Sequence, residues 1–139
     1  TRLDCAAAAL GIAQRALDLS VEYAKTRVTF GKPIADLQAI QFMLADMQIQ
    51  TQAARSLVYG AAEMVDNNIR PYTEICAAAK CFAGDVAMKV TTDAVQIHSG
   101  YGYMRDYPVE KLMRDAKLFQ IFEGTNQIQR VVVAGSMLK

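Results

Sequence analysis

Apolar spacing constrains this chain more than anything else in it. Three consecutive segments, each of about 25–30 residues, place apolar side chains at three- and four-residue steps, the pattern of amphipathic helices. The first runs from Leu3 to Arg27, with Leu3, Ala7, Leu10, Ala13 or Gln14, Leu17, Val21 and Ala24 on one face, before Gly31 and Pro33 break it. The second, from Leu37 to Asn67, aligns Ile40, Met43, Leu44, Met47, Ala54, Leu57, Val58, Ala61, Met64 and Val65, and stops at Asn67-Asn68 and Pro71. The third, from Tyr72 to His98, is rich in small residues: Cys76, Ala77, Ala78, Ala79, Ala83, Gly84, Ala87 and Ala94. Small residues on several faces permit close helix contact, which predicts a central place in a bundle.

Gly100 and Gly102 end the third segment, Tyr107-Pro108 opens a short helix from Val109 to Leu118, and a last helix runs from Thr125 to Leu138. The β-branched run Val131-Val132-Val133 lies inside that last helical pattern, so no strand signal competes. The predicted fold is all-α: an up-down helical bundle of long antiparallel helices with short connections, in one domain over residues 1–139. Helices of about 25 residues span nearly 40 Å. That length predicts that part of each is buried by another domain or subunit.

Near-neutral charge (+1) without a basic stripe speaks against nucleic acid. Charges interrupt every apolar stretch well short of the ~20 residues of a membrane span, and no signal peptide is evident. The opening Thr-Arg-Leu-Asp, without an initiator Met, suggests a segment of something longer. Cys5, Cys76 and Cys81 are odd in number and sit among alanines, so they read as small buried residues in a reducing compartment. With one histidine, His98, and no Cys-x-x-Cys, no metal site is expected.

The chemistry concentrates in Phe119-Gln-Ile-Phe-Glu-Gly-Thr-Asn-Gln-Ile128. Phe119, Ile121 and Phe122 precede Glu123, and Gly124 follows it, allowing close backbone approach. A carboxylate inside such an apolar collar is destabilised in its charged form, which raises its proton affinity toward what a general base needs. The plain alternative is a solvated Glu in a first helical turn.

Four elements stand in order: Arg27-Val-Thr-Phe-Gly-Lys-Pro33, Leu37-Gln-Ala-Ile-Gln-Phe-Met-Leu-Ala-Asp46, Ala94-Val-Gln-Ile-His-Ser-Gly-Tyr-Gly-Tyr103, and Tyr107-Pro-Val-Glu-Lys-Leu-Met-Arg-Asp-Ala-Lys117 leading into Ile121-Phe-Glu-Gly-Thr-Asn-Gln-Ile-Gln-Arg130. In this order and spacing the chain resembles the C-terminal helical domain of the acyl-CoA dehydrogenases, over essentially its whole length. The Arg-Asp-Ala-Lys and Glu-Gly-Thr-x-Gln elements are the most specific.

The resemblance implies an FAD-dependent α,β-dehydrogenation of an acyl-CoA thioester. Glu123 matches the base that takes the α-proton while hydride passes to flavin N5, and its backbone N–H matches a donor to the developing enolate. Some members carry the base near the start of the first long helix, where this chain has Thr1, which cannot serve. Gly124 leaves room for the thioester, and Arg2 matches an Arg near the substrate.

Arg27, Thr29 and Phe30, joined by Gln38, match residues touching the FAD of a neighbouring subunit. A guanidinium fork suits a diphosphate, although an Arg in a last helical turn also suits the helix dipole. Gln96, Ile97 and Gly100 match the stretch near the FAD adenylate across the interface. Thr125 and Gln127 match contacts with the subunit's own FAD, and Thr125 also reads as a helix N-cap.

His98-Ser99 departs from the family pattern of an aliphatic or aromatic residue followed by Gly, and reads as local packing, as do Tyr101 and Tyr103. Arg105-Asp106, Arg114-Asp115 and Lys117 read as a solvated or intersubunit ion-pair face, and the methionines as core filling.

The family also implies an electron-transfer flavoprotein as acceptor, a homotetramer or dimer, and a bacterial cytoplasmic or mitochondrial matrix setting. An N-terminal helical domain and a middle β domain, which complete the site in the family, are not in these residues, so activity of this chain alone is not expected. The base position favours straight short- or medium-chain acyl groups. Two other readings stay open: a helical oligomerisation module without chemistry, and an acyl-CoA oxidase domain that passes electrons to oxygen.

Overall fold

The computed structural model describes residues 2–139. Its main elements are α1 (Arg2–Thr26), β1 (Val28–Thr29), β2 (Lys32–Pro33), α2 (Gln38–Asp66), α3 (Thr73–His98), α4 (Val109–Leu118) and α5 (Asn126–Met137). The anticipated helices all form, with ends displaced by a residue or two. Short 3-10 turns follow β2 at Ile34–Asp36 and α3 at Ser99–Tyr103.

The strands were not anticipated. Val28 pairs with Pro33 and Thr29 with Lys32 in a minimal antiparallel hairpin. Phe30 and Gly31 turn it with φ of 52° and 80°, the left-handed pair that matches strand twist in a two-residue loop. Two residues per strand are too few to produce a legible alternation, and the architecture remains an all-α bundle.

α3 is the centre, touching α1, α2, α4 and α5. Ala6, Ala9, Ala13, Ala16 and Ala24 of α1 are buried, as are Ala79, Ala83, Ala87 and Ala94 of α3. Methyl side chains on both helices let their backbones come close. Larger side chains fill the remainder: Met47 and Val58 from α2, Val86 and Val90 from α3, each contributing about 1.5–3 kcal/mol on full burial. At Gly84 a Cβ would come within 2.9 Å of the Phe119 carbonyl oxygen. The segment leading to Glu123 therefore lies directly on the α3 backbone.

The up-down course brings the start of α1, the end of α2 and the start of α3 together at one end. The end of α1, the hairpin, the start of α2 and the end of α3 meet at the other. The 25 residues of α1 separate these ends by roughly 36 Å.

Apolar side chains remain outside. Phe42, Ile49 and Tyr59 of α2 are exposed, as are Ile128 and Val131 of α5 with Leu138 beyond it. Met47 is buried, whereas Met104 and Met137 are exposed, so core filling describes only part of the methionine set. Among the described residues no helix is long and apolar enough to cross a membrane, and no group of three or more His, Cys, Asp or Glu gathers as metal ligands. All three cysteines are buried and unpaired.

Candidate active site

Glu123 sits in the turn between α4 and α5, outside either helix. The chain leaves α4 through tight turns, with the Ile121 and Phe122 N–H groups donating to the Leu118 carbonyl at 2.9 and 3.0 Å. It closes back when the Asn126 N–H donates to the Gln120 carbonyl at 3.0 Å. Between these bonds Glu123 (φ 54°) and Gly124 (φ 84°) are both left-handed. For a side chain such as Glu this conformation costs roughly 1–3 kcal/mol. The surroundings therefore must hold it.

Gly124 is fixed by conformation and by space, since a Cβ there would lie 2.5 Å from Gln129 Nε2. Thr125 then caps α5, its Oγ1 accepting from the Ile128 N–H at 3.2 Å, as its N-cap reading anticipated.

Beneath this turn lies a polar layer that sequence reasoning missed. Lys80 is 1% exposed. Its Nζ donates to the Gly124 carbonyl at 2.7 Å and to Asn126 Oδ1 at 3.0 Å. Burial pushes its ammonium below the ordinary lysine range, against the pull of Cys5, Cys81, Asp85 and Glu123. Asn126 Nδ2 donates to the Cys81 carbonyl at 3.0 Å and to Asp85 Oδ1 at 2.8 Å. Asp85 also accepts from Gln120 at 2.8 Å and from Arg130 at 2.7 Å. Gln129, fully buried, donates from Nε2 to the Glu123 and Gly124 carbonyls at 3.1 Å each. The available signal was a lone lysine inside Ala77-Ala78-Ala79-Lys80-Cys81, among residues small enough to be buried.

Glu123 lines an open recess of about 400 Å³ together with Arg2, Leu3, Val65, Tyr72 and Cys76. The structure thus brings Arg2 to Glu123, as the sequence reading grouped them. The apolar collar is only half built, however. Phe119 and Phe122 are half-buried and pack edge to face, with centroids 5.1 Å apart. Ile121 is 52% exposed and Glu123 itself is exposed. A turn on the bundle surface cannot surround its own side chain, so these residues alone do not bury the carboxylate. Thr1, the alternative base position, lies outside the described residues.

The second group forms at the opposite end. Arg27 is exposed, and its guanidinium lies 5.2 Å from the Tyr101 ring centroid. This places it beside the turn that begins at Ser99 and Gly100. Thr29 is half-buried, while Phe30 is 94% exposed. Gln38 opens α2, whose N-terminus has no side-chain cap. Exposed N–H groups at such a terminus suit an anion. Gln96 and Gly100 are exposed, but the Ile97 side chain is buried in the core, so only its backbone is available to a ligand. Gln127 is exposed beside Thr125 at the Glu123 end. The proposed cofactor residues therefore form two groups, about a helix length apart.

His98 is a packing residue here. It is buried, stacks on Tyr23 with centroids 4.1 Å apart, and shares a 2.8 Å hydrogen bond with the Ala94 carbonyl through Nδ1. Ser99 takes φ 49° and ψ −134°, a conformation that favours glycine, which accounts for the glycine of the family pattern at this point. Tyr101 packs on Tyr107, centroids 5.3 Å apart. Tyr103 departs from the expected packing role: it is 82% exposed, because the 3-10 turn directs it outward. On α4, Glu110 pairs with Arg114 at 2.8 Å and Lys111 with Asp115. Arg114 and Asp115 of the expected ion-pair face thus do pair, each with a neighbour one helical turn away, while Lys117 donates to Gln120 instead.

Residues 1–138 match the family model for the acyl-CoA dehydrogenase C-terminal domain. The chain belongs to the acyl-CoA dehydrogenase family. It is 55% identical over 139 residues to "Probable acyl-CoA dehydrogenase FadE25" of Mycobacterium tuberculosis, covering 100% of this chain and 36% of that protein. The structure of butyryl-CoA dehydrogenase from Megasphaera elsdenii superimposes with a TM-score of 0.97 at 54% identity, covering 99% of this chain and 36% of the other. A chain in the structure "Electron transferring flavoprotein of Acidaminococcus fermentans: Towards a mechanism of flavin-based electron bifurcation" gives 0.96 at 56% identity, with 99% and 36% covered. The chain thus spans little more than a third of the acyl-CoA dehydrogenases it matches.

Proposed function

We propose that this chain is the base-bearing helical part of an FAD-dependent acyl-CoA dehydrogenase, and that Glu123 removes the α-proton of a bound acyl-CoA thioester. The observation that carries this reading is Glu123 held left-handed at the mouth of a recess that also contains Arg2. A carboxylate carried on a strained, multiply anchored turn and facing a cavity fits a group that must meet one substrate atom. Gly124 keeps the approach open, Tyr72 and Cys76 form the wall, and the Glu123 backbone N–H is the chain's own donor to the thioester oxygen as negative charge develops.

FAD, when bound, supplies the acceptor for the β-hydride. The residues present suit it. Arg27 and the uncapped start of α2 with Gln38 offer diphosphate donors, and the exposed Phe30 ring offers a flat apolar surface. Gln96, the Ile97 backbone and Gly100 extend that corner toward the adenylate. Thr125 and Gln127 lie beside Glu123. One copy uses Thr125 and Gln127 on its own cofactor and lends the Arg27 corner to a neighbour, in a homotetramer or dimer. The exposed apolar residues of α2 and α5 support such cover, and segments outside this chain complete the flavin and acyl-CoA contacts.

A short- or medium-chain straight acyl group, an electron-transfer flavoprotein as acceptor and a bacterial cytoplasmic setting complete the proposal. They are supported by the names and bacterial sources of the relatives and by three unpaired thiols.

The test is Glu123→Gln in the complete flavoenzyme. We expect normal folding and flavin content, with turnover lowered about 10²–10⁴-fold, the span of a lost general base. Turnover within threefold of the parent would refute the assignment and favour a scaffold role.

A further inference from the structure

Lys80 is the one lysine of α3 placed in the core, and a buried ammonium is costly unless acceptors meet it. Two do: the Gly124 carbonyl at 2.7 Å and Asn126 Oδ1 at 3.0 Å. The first bond fixes the peptide plane after Gly124. Gln129 holds the plane before it, through the Glu123 carbonyl at 3.1 Å. Gly124, which follows Glu123 in the left-handed pair, is thus gripped on both sides, and the grip from α3 rests on one charged side chain. A charged donor bonds a carbonyl more strongly than a neutral one, which suits a turn that stores strain.

We propose that Lys80 is a positioning residue for Glu123: its Nζ, by drawing the Gly124 carbonyl onto α3, aims the carboxylate into the recess. This rests on the reading of Glu123 as base. Glu123 also contributes favourably to the ammonium's charged state, so base and lysine lie within electrostatic reach of each other.

The experiment is Lys80→Met in the complete flavoenzyme, measured beside Glu123→Gln. Flavin content and the KM for a short acyl-CoA should stay within about twofold of the parent. The kcat should fall about 10–100-fold, the scale of a misplaced reacting group. Amide hydrogen exchange should accelerate at residues 121–126 while α1 and the rest of α3 keep their protection.

An unchanged kcat, or a loss matched by flavin release and general loss of protection, would overturn the positioning role. If Lys80→Met does not assemble, Lys80→Gln, which keeps a polar donor without the charge, is read in the same way. The two readings separate cleanly. An active Glu123→Gln removes the base assignment and this inference with it. An inactive Glu123→Gln beside a fully active Lys80→Met removes the inference alone.

Discussion

Gln129, in the first turn of α5, reaches back to the turn that precedes its own helix and hydrogen-bonds the Glu123 carbonyl at 3.1 Å. It bonds the Gly124 carbonyl at the same distance. The side chain is fully buried, so α5 and the Glu123 turn form one rigid unit. The helix is not merely attached to the turn.

That contact sets the cost of filling Gly124. Gly124→Ala would strain a φ of 84° and press a methyl to 2.5 Å from Gln129 Nε2. We expect a loss of about 1–3 kcal/mol, measured by urea unfolding. Adding Gln129→Ala removes the obstruction, so the double variant should be more stable than the sum of the single losses allows. Strict additivity would show that the two residues do not interfere.

Asp85 should give the fold part of its acid sensitivity. Burial alone would raise its carboxyl, but hydrogen bonds from Arg130, Asn126 and Gln120 outweigh this and hold it below the usual aspartate range. The folded state thus releases this proton more readily than the unfolded chain. The stability it lends is complete above the ordinary aspartate value and drains as pH falls through the lower folded one. Asp85→Asn should be less stable than the parent at pH 7, and the difference should narrow below about pH 4. Parallel acid-unfolding curves would contradict this.

His98 acts in a higher window. Burial pushes its imidazole below the usual histidine range, and the bond to the Ala94 carbonyl only partly opposes this. The unfolded chain therefore takes up the proton first. Stability is complete above the ordinary value of about 6.5 and declines as pH falls toward the folded one. His98→Phe, which can keep a ring on Tyr23, should flatten the change in thermal midpoint between pH 7 and pH 5. An equally steep change in the variant would place the sensitivity elsewhere.

The long helices were legible because burial on α1, α2 and α3 repeats with the helical period. The Glu123 element was legible because Glu-Gly-Thr is a local string. The hairpin was too short to leave a period, and the polar layer was hidden for another reason. Lys80, Asp85, Asn126 and Gln129 are spread over two helices, and apart from Lys80 in its run of small residues each looks like an ordinary surface residue in its own segment. Only the packing of α5 across α3 joins them. The collar around Glu123 was over-read: Phe119, Ile121 and Phe122 are neighbours in sequence, but a surface turn gives them no wall to close against.

α1 carries a final consequence, because it works as a ruler. Arg2 at its start and Arg27 just past its end belong to different groups, joined by one uninterrupted helix. Adding or deleting a single residue within it would turn one end by about 100° relative to the other and shift it by about 1.5 Å. A loop can absorb such a change, but a helix in register with α3 along its whole length cannot. Substitutions on the exposed face of α1 beyond Arg2 leave this spacing intact, while its residue count is locked.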